Sequence, residues 1–280
     1  LEVTPGYYQL RTNLHVGDVL ARLRTPPGDT YQRITFPEGF TLAQMAARLA
    51  DEQPKLDTEA FLTASQQATV PDVYGRPPGQ TSAEGLLFPD TYQISNADNE
   101  AQVIERMVGL MERVAVNQED LAEGAAALGL TPYQVLIVAS MIEKEAKLDA
   151  DRPKIARVIY NRLDIDMLLQ IDAAVYYGTD VDAPFSQLRQ IDTPYNTYMH
   201  HGLPPTPIAN PGRASIRAAL NPAPDPPPGD PICRDLADPT VGCHYVFYVL
   251  ANDQGGHAFA ATEEQHAANV AAARAAGLLG

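Results

Sequence analysis

The sequence of 280 residues lacks several features that mark common classes of protein. Basic residues are few: 20 Lys and Arg stand against 35 Asp and Glu, the net charge is -15, and no basic cluster interrupts that balance. This disfavours nucleic acid and bare anionic membrane as partners. No apolar run reaches the roughly 18 residues that a membrane-spanning helix requires. The sequence also begins at Leu1 without a methionine, so we expect a soluble part of a longer protein.

Motifs for nucleotide binding, metalloprotease activity and serine-hydrolase activity are missing as well. There is no G-x-G-x-x-G, P-loop, H-E-x-x-H or G-x-S-x-G. Ser140 is followed three residues later by Glu143, where an S-x-x-K enzyme carries lysine. The six histidines lack metal-ligand spacing. We therefore predict no metal and no cofactor, and acid chemistry is what remains.

Cysteine is also scarce, since the chain has only Cys233 and Cys243, ten residues apart in a Pro/Gly/Asp-rich stretch. We predict that they form a disulfide that closes a surface loop in an oxidising compartment. The alternative is two unrelated thiols. A zinc site is disfavoured because no second cysteine pair accompanies them.

Hydrophobic periodicity predicts an α+β fold in two parts. The first part, residues 1–70, is a small α+β module, and its predicted elements are strands at Tyr7–Leu10 and Tyr31–Phe36 and helices at Val16–Leu23, from Thr41 and at Thr58–Ser65. The second part, residues 71–280, is mainly helical with a C-terminal β-hairpin. Its predicted helices are Asn99–Val116, Glu119–Leu128, Thr131–Lys147, Asp151–Leu163, Leu168–Gly178, Ala214–Leu220 and Thr262–Ala276, and its strands are His244–Leu250 and His257–Ala261.

Two stretches are predicted to be ordered loops. Glu84–Tyr92 mixes a tight turn, a proline and aromatic residues, so it either packs against a large core or lines a site. Pro184–Pro231 is dense in proline, and loops of that length in a compact domain are usually functional or disordered. Its tyrosines and its fixed Pro/Asn geometry favour an ordered loop.

The stretch Leu136–Lys147 is apolar for most of its length and then ends in two acids, Glu143 and Glu145. On a helix with about 100° per residue these acids point about 200° apart. They therefore cannot form one facing carboxylate pair.

Glu145 lies beside apolar neighbours within two helical turns, namely Met141, Ile142 and Val138. Desolvation there would raise its pKa and keep it protonated near neutral pH, as a general acid requires. A buried Glu143 would need a cationic partner such as Arg157 or Arg162. The alternative is that both acids are ordinary helix-end residues in salt bridges.

Seven motifs occur in order over about residues 84–270: Glu84–Tyr92, Ala139–Glu145, Asn161–Leu163, Leu169–Asp172, Tyr195–Tyr198, Gly202–Gly212 and Gly255–His257. Through these motifs the sequence resembles the endolytic murein transglycosylase family (MltG or YceG-like). Two places depart from the pattern. Ile171–Ala174 replaces a more polar run, and Pro224–Val241 looks like an insertion before the final hairpin.

The resemblance implies that Glu145 is the catalytic residue of a peptidoglycan lytic transglycosylase. That family cleaves the β-1,4 bond between N-acetylmuramic acid and N-acetylglucosamine within glycan strands and leaves 1,6-anhydromuramic ends. One acid is enough for this reaction, whereas a glycoside hydrolase normally needs two carboxylates at a set separation. Residues 71–280 would then be the catalytic domain, and residues 1–70 would resemble the family's LysM-like subdomain.

The resemblance also nominates residues around the catalytic acid. The expected substrate contacts are Gln170, Asp172, Tyr195, Asn196, Tyr198, Asn210 and His257, with Glu143 and Glu84 in support. The expected partners are peptidoglycan glycan strands, with cell-wall synthases as a further suggestion. The expected location is the extracytoplasmic face of the bacterial cytoplasmic membrane, with an N-terminal membrane anchor outside this sequence.

The sequence leaves two other functions open. One is a lysozyme-type muramidase in which an acid such as Asp172 or Glu84 positions water, and its products would have reducing ends. The other is a non-catalytic peptidoglycan-binding scaffold that organises partners in wall synthesis, acting in cell-wall assembly without cleaving the strand.

Overall fold

A computed structural model of the chain describes residues 8, 10–25, 31–179, 181–227, 229–234, 236 and 242–279. The fold is α+β, as predicted, and mainly helical, with two antiparallel sheets of two strands each among the described residues. The predicted strand at Tyr7–Leu10 falls outside the described residues, because Tyr7 and Gln9 are not among them.

The predicted helices and strands among the described residues occur in the predicted order, with bounds that differ by a few residues, and two elements were not predicted, the strand Thr91–Ser95 and the short helix Phe185–Leu188. The elements are α1 Val16–Leu23, β1 Tyr31–Thr35, α2 Leu42–Glu52, α3 Thr58–Gln66, β2 Thr91–Ser95, α4 Glu100–Met111, α5 Leu121–Ala127, α6 Pro132–Glu145, α7 Arg152–Asp164, α8 Asp172–Gly178, α9 Phe185–Leu188, α10 Arg213–Leu220, β3 Phe247–Leu250, β4 His257–Ala260 and α11 Glu263–Ala275. The predicted helix over Asn99–Val116 is divided, because α4 passes into a π-helical turn at Glu112–Val116.

A first hydrophobic core forms where β1 and β2 pair and α2, α3 and α4 cover them. Ile34 of β1 lies opposite Tyr92 of β2. The side chains that fill this core come from both sides of residue 70 and include Ile34, Met45, Leu49, Phe61, Leu87, Ile94, Val103 and Met107. The predicted boundary at residue 70 therefore does not coincide with the edge of this core, because the module takes its second strand and a third helix from residues 91–111.

The second and larger core surrounds α6. Thr131 and Gln134 form the predicted capping box and Pro132 opens the helix, which satisfies its first free amides. Val135 to Ile142 are all buried, so α6 is apolar on every side and needs neighbours all round. Helices α5, α7, α8 and α10 supply them. The helix ends at Glu145, two residues before the predicted end, because Ala146 is extended.

The described residues of both predicted loops are ordered, and the two loops pack against α6 and against each other. The amide of Ile208 donates to Ser140 Oγ at 3.0 Å, which attaches the proline-rich loop to the middle of α6. Gly85 approaches Pro207 so closely that a Cβ atom at Gly85 would lie 2.3 Å from the proline ring, and its φ of +78° also favours glycine.

The C-terminal hairpin covers the end of α6. Its turn residue Gly255 has φ +88°, and a Cβ atom there would lie 2.3 Å from Lys147 Cδ. Only glycine fits both the conformation and the contact. The hairpin's first strand, β3, is thereby placed beside Glu145.

The predicted disulfide between Cys233 and Cys243 is confirmed, and their Cα atoms are 5.6 Å apart. It closes a loop between α10 and β3. Among the described residues no single helix is both long and apolar enough to cross a membrane, and α5 with α6 meets the composition only as a pair bent by 92°.

Candidate active site

Glu145 is the last residue of α6 and keeps part of its side chain exposed. The pKa of Glu145 is raised to about 7, chiefly because its carboxyl group is largely removed from water. The hydrogen bond from Tyr248 lowers this pKa, and the negative charge of Asp172 raises it. The described part of the chain supplies this carboxyl group with one hydrogen-bond donor, the Tyr248 hydroxyl, at 3.1 Å from Oε2. Glu145 is thus a carboxyl group that is protonated near neutrality and still open to a ligand.

Asp172 and Gln170 lie on the segment that enters α8, and Asp172 is close enough to Glu145 to raise its pKa. Asp172 is exposed as the first residue of α8, and its Oδ1 accepts a hydrogen bond from the Tyr198 hydroxyl. Gln170 is exposed and has a left-handed backbone with φ +52°. Such a conformation costs about 1–3 kcal/mol for a residue other than glycine and is found most often at functional sites.

Tyr248 was not singled out from the sequence, and Arg162 was considered only as a partner of Glu143, yet both belong to the site. Arg162 donates to the carbonyl groups of Leu168 and Leu169 at 3.1 and 2.8 Å, and to that of Val246 at 2.7 Å. It therefore ties the lead-in to α8 to the strand that carries Tyr248, and burial lowers the pKa of Arg162. The motif at Asn161–Leu163 contained this residue, but nothing in the local pattern indicated its distant partner Val246.

His257 lies behind Tyr248. The two rings form an edge contact at 5.5 Å, and the His257 side chain is only 8% exposed. Asp151 Oδ2 lies 3.0 Å from His257 Nδ1 and accepts the His257 amide at 2.8 Å. In this structure His257 thus supports the tyrosine that contacts Glu145.

Glu143 faces away from Glu145, as the helical geometry predicted. Its Oε2 accepts from the Gly212 amide at 3.0 Å and from Ser215 Oγ at 2.8 Å, at the start of α10. Its cationic partner is Arg152, at 3.5 Å. The expectation of Arg157 or Arg162 was wrong.

Arg157 and Arg162 cannot pair with Glu143 because both are used elsewhere. Arg157 donates to the carbonyl group of Ala223, and Arg162 holds the backbone groups described above. Sequence spacing along α7 could not separate the three arginines, because the choice depends on where α10 and the following loop lie.

Glu84 and Asn210 form a buried network far from solvent. Both Glu84 oxygens accept from the Leu42 amide at 3.1 Å, Oε1 also accepts from Asn210 Nδ2 at 2.8 Å, and Oε2 accepts from the Tyr177 hydroxyl at 3.2 Å. Asn210 is fully buried and also bonds Phe40 and Leu87 through its amide group. Asn210 has no exposed surface and holds the loops together. The prediction that it contacts the substrate is therefore corrected.

The predicted substrate contact of Asn196 is corrected for the same reason. It is fully buried, and its Nδ2 donates to the carbonyl groups of Arg189 and Ile191 at 3.0 and 2.8 Å. Tyr195 is half-buried, and its hydroxyl lies 2.8 Å from Thr206 Oγ1. Tyr195 packs on Tyr177 with ring centroids 5.0 Å apart, which places it with the Glu84 network.

The fold and the site together define a class, that of mainly helical α+β proteins in which a fully packed central helix ends on a partly exposed acid. Within that class the chain belongs to the YceG-like family, whose model matches residues 1–272. This confirms the resemblance drawn from the sequence motifs.

Individual relatives agree with that membership. The chain is 34% identical over 233 residues to the endolytic murein transglycosylase of Bacillus subtilis (strain 168), covering 78% of this chain and 63% of that protein. It is 31% identical over 249 residues to the endolytic murein transglycosylase of Streptococcus pneumoniae serotype 2 (strain D39 / NCTC 7466), covering 79% and 45%. The chain therefore spans less than two thirds of the length of these two relatives.

A solved structure matches the fold over nearly the whole chain. The crystal structure of a YceG-like protein from Listeria monocytogenes superposes with a TM-score of 0.68 at 28% sequence identity, covering 95% of this chain and 85% of that one.

Proposed function

We propose that this chain is a lytic transglycosylase that cleaves the β-1,4 bond between N-acetylmuramic acid and N-acetylglucosamine within peptidoglycan strands, with Glu145 as the catalytic residue. The observation that carries the proposal is the state of Glu145: its pKa is raised to about 7 while part of its carboxyl group remains exposed. The names of the relatives from Bacillus subtilis and Streptococcus pneumoniae support the same reaction.

The proposed reaction uses Glu145 twice and no water. Its carboxyl group gives a proton to the glycosidic oxygen, and the bond from that oxygen to C1 of the muramic acid breaks. The resulting carboxylate takes the proton from the C6 hydroxyl of the same sugar as O6 bonds to C1, which closes the 1,6-anhydro ring and restores the acid. The Tyr248 hydroxyl stabilises the carboxylate between the two steps, since it donates to Oε2.

A lysozyme-type hydrolysis is the second candidate, and Asp172 favours it. This exposed carboxylate is close enough to Glu145 to raise its pKa, and two carboxylates are what a glycoside hydrolase requires. Glu84, the other acid considered from the sequence, does not fit that role, because both of its oxygens are bonded within a buried network.

The products separate the two reactions. The wild-type protein is incubated with purified sacculi, and the soluble fragments are analysed by mass spectrometry. A transglycosylase yields anhydro ends, 18 Da lighter than the reducing ends that a hydrolase yields by adding one water. Reducing ends alone would replace the first proposal with the second.

The remaining proposals concern the substrate contacts and the setting. We propose Gln170, Asp172 and Tyr198 as contacts with the glycan, because all three keep exposed or half-buried surface and the last two are electrostatic neighbours of Glu145. The paired strands β1 and β2, with two helices between them, support a LysM-like first module. The disulfide supports an extracytoplasmic location. Attachment to the membrane and contact with cell-wall synthases are proposed from the family resemblance alone.

A further inference from the structure

Three aromatic side chains, Tyr176, Phe185 and Tyr198, form a continuous strip beside Asp172. The ring centroids of Tyr176 and Phe185 are 5.4 Å apart, and those of Phe185 and Tyr198 are 5.7 Å apart. Tyr198 is the inner end of the strip, because its hydroxyl donates to Asp172. The strip therefore touches Asp172 at its Tyr198 end, and Tyr198 is also an electrostatic neighbour of Glu145.

The outer end of the strip has no role in the core. Tyr176 is 54% exposed, whereas α8 buries Ala174 and Val175. Asp172 and Tyr176 are four residues apart, so they lie on the same face of α8 at a rise of about 6 Å. That face thus presents an acid and, one turn further along α8, a half-exposed aromatic ring.

The segments that carry the three rings are fixed relative to one another. Asn196 bonds the carbonyl groups of Arg189 and Ile191, which attaches the turn before Tyr198 to the end of α9. Thr197 Oγ1 accepts the Ile171 amide at 2.8 Å, which attaches the same turn to the start of α8. The strip is therefore organised before any ligand arrives, and a ligand loses less entropy in binding to it.

We propose that this aromatic strip is a subsite for the sugar rings of a glycan strand, with Tyr176 as its outermost contact. The C–H faces of pyranose rings pack against aromatic rings, and the hydroxyl groups at their edges stay in water or bond neighbouring polar groups. The rings carry no charge, which suits the sugars of the strand. The occupant follows from continuity, since a strand whose scissile bond lies at Glu145 extends over adjacent surface. The inference rests on the proposed function in that Glu145 marks the point of cleavage.

The chain has no tryptophan, so a tryptophan placed at Tyr176 is a unique fluorescent reporter. Tyr176→Trp is made in a Glu145→Gln background and titrated with peptide-free murein glycan strands released from sacculi by an amidase. We expect its emission to shift to shorter wavelength and to saturate. In the same background Tyr176→Ala weakens binding of these strands about three- to tenfold, the usual contribution of one aromatic contact.

Val73→Ala, an exposed apolar position in the turn that contacts α6, outside the first module and outside the strip, is the control and leaves the affinity unchanged, and circular dichroism checks that each variant is folded. Equal affinity in Tyr176→Ala and its parent would overturn the subsite, and so would the absence of any binding by the Glu145→Gln protein. Product analysis of the wild-type protein decides the reaction separately. Anhydro ends together with unchanged binding in Tyr176→Ala would reject the subsite and keep the proposed reaction. Weaker binding in Tyr176→Ala without anhydro ends from the wild-type protein would keep the subsite and reject the proposed reaction.

Discussion

Two glutamates, Glu84 and Glu145, have pKa values that burial raises to about 7, yet their surroundings differ in every other respect. Glu84 is 2% exposed, and its two oxygens accept from three different residues. Glu145 retains exposed surface and accepts from the Tyr248 hydroxyl. Both oxygens of Glu84 are hydrogen-bonded within the protein. In Glu145 only Oε2 accepts a hydrogen bond from the described residues, so Oε1 is available to a ligand.

The difference shows why a raised pKa alone does not identify a catalytic acid. Burial shifts both carboxyl groups in the same direction, because the charged form is disfavoured wherever water is removed. Catalysis requires in addition that the group reach a ligand. Glu84 instead connects the two cores, because it bonds the first amide of α2 and the Asn210 side chain of the proline-rich loop.

The largest effect is expected from Glu145→Gln. An amide cannot donate the proton and take it back, so the release of anhydro-ended fragments from sacculi falls by a factor of about a thousand or more. The fold is kept, because Glu145 lies at the end of α6 and not within its packed length. Mass spectrometry of the fragments and a thermal melt measure the two quantities.

Glu84→Gln is the matched control for that experiment, since it makes the same chemical change in the other buried acid. It keeps the activity of the folded protein. Full activity in Glu145→Gln, or an equal loss in both variants, would contradict the assignment of the chemistry to Glu145.

Glu84→Gln has its effect on stability. The amide NH2 group cannot accept the hydrogen bonds that a Glu84 oxygen accepts, so the free energy of unfolding falls by about 2 kcal/mol. The raised pKa of Glu84 stabilises the wild-type fold fully below its unfolded value of 4.5 and progressively less as pH rises through about 7. The variant lacks this titration.

The loss in Glu84→Gln is therefore larger at pH 5 than at pH 8, as urea unfolding at the two pH values will measure. A loss that is the same at both would show that the Glu84 carboxyl group does not have a raised pKa. Thr35→Val, at an exposed position of β1, controls for changes unrelated to this acid.

The sequence predicted the parts of this comparison that depend on one helix. Periodicity and capping located α6, and 100° per residue placed Glu143 and Glu145 on opposite sides. What it could not provide were contacts between segments distant in the chain, because loop closure and packing decide them. Tyr248 is 103 residues from Glu145, and the choice of Arg152 over Arg157 and Arg162 depends on where α10 lies.

The same limit explains the errors made for the asparagines and the domain boundary. Asn196 and Asn210 occur in loops rich in tyrosine and proline, and from composition alone a loop-bonding amide and a sugar-binding amide look identical. The boundary at residue 70 followed a Pro/Gly linker. The chain crosses that linker and then returns to the first core through β2, a pairing over about 60 residues that no local pattern indicates.

Tyr248→Phe removes the one hydrogen bond that the described residues donate to Glu145, whereas Glu84 accepts from three residues. The Tyr248 hydrogen bond favours the ionised carboxylate, so its removal raises the pKa of Glu145 further. The pH at which activity is half lost on the alkaline side therefore moves upward, and the maximal rate falls about tenfold, or about 1.4 kcal/mol. Tyr245→Phe, on the same hairpin, leaves both unchanged. A downward shift in Tyr248→Phe would contradict this role.

Asp172→Asn gives the smallest expected effect and separates the two proposed reactions. Asp172 raises the pKa of Glu145, so its neutralisation lowers that pKa and moves the alkaline limb of the pH–rate profile downward. The asparagine oxygen can still accept from the Tyr198 hydroxyl, and the rate falls only a few-fold if Glu145 works alone.

A hydrolase that depends on Asp172 as its second carboxylate would instead lose activity about as completely as Glu145→Gln. Asp51→Asn, an exposed acid on α2, controls for the change in net charge. A few-fold loss with anhydro ends retained would make Asp172 a residue that tunes Glu145 electrostatically. The site would then contain one acid that reacts and one that raises its pKa, whereas the pKa of Glu84 is raised by burial and both of its oxygens are bonded within the protein.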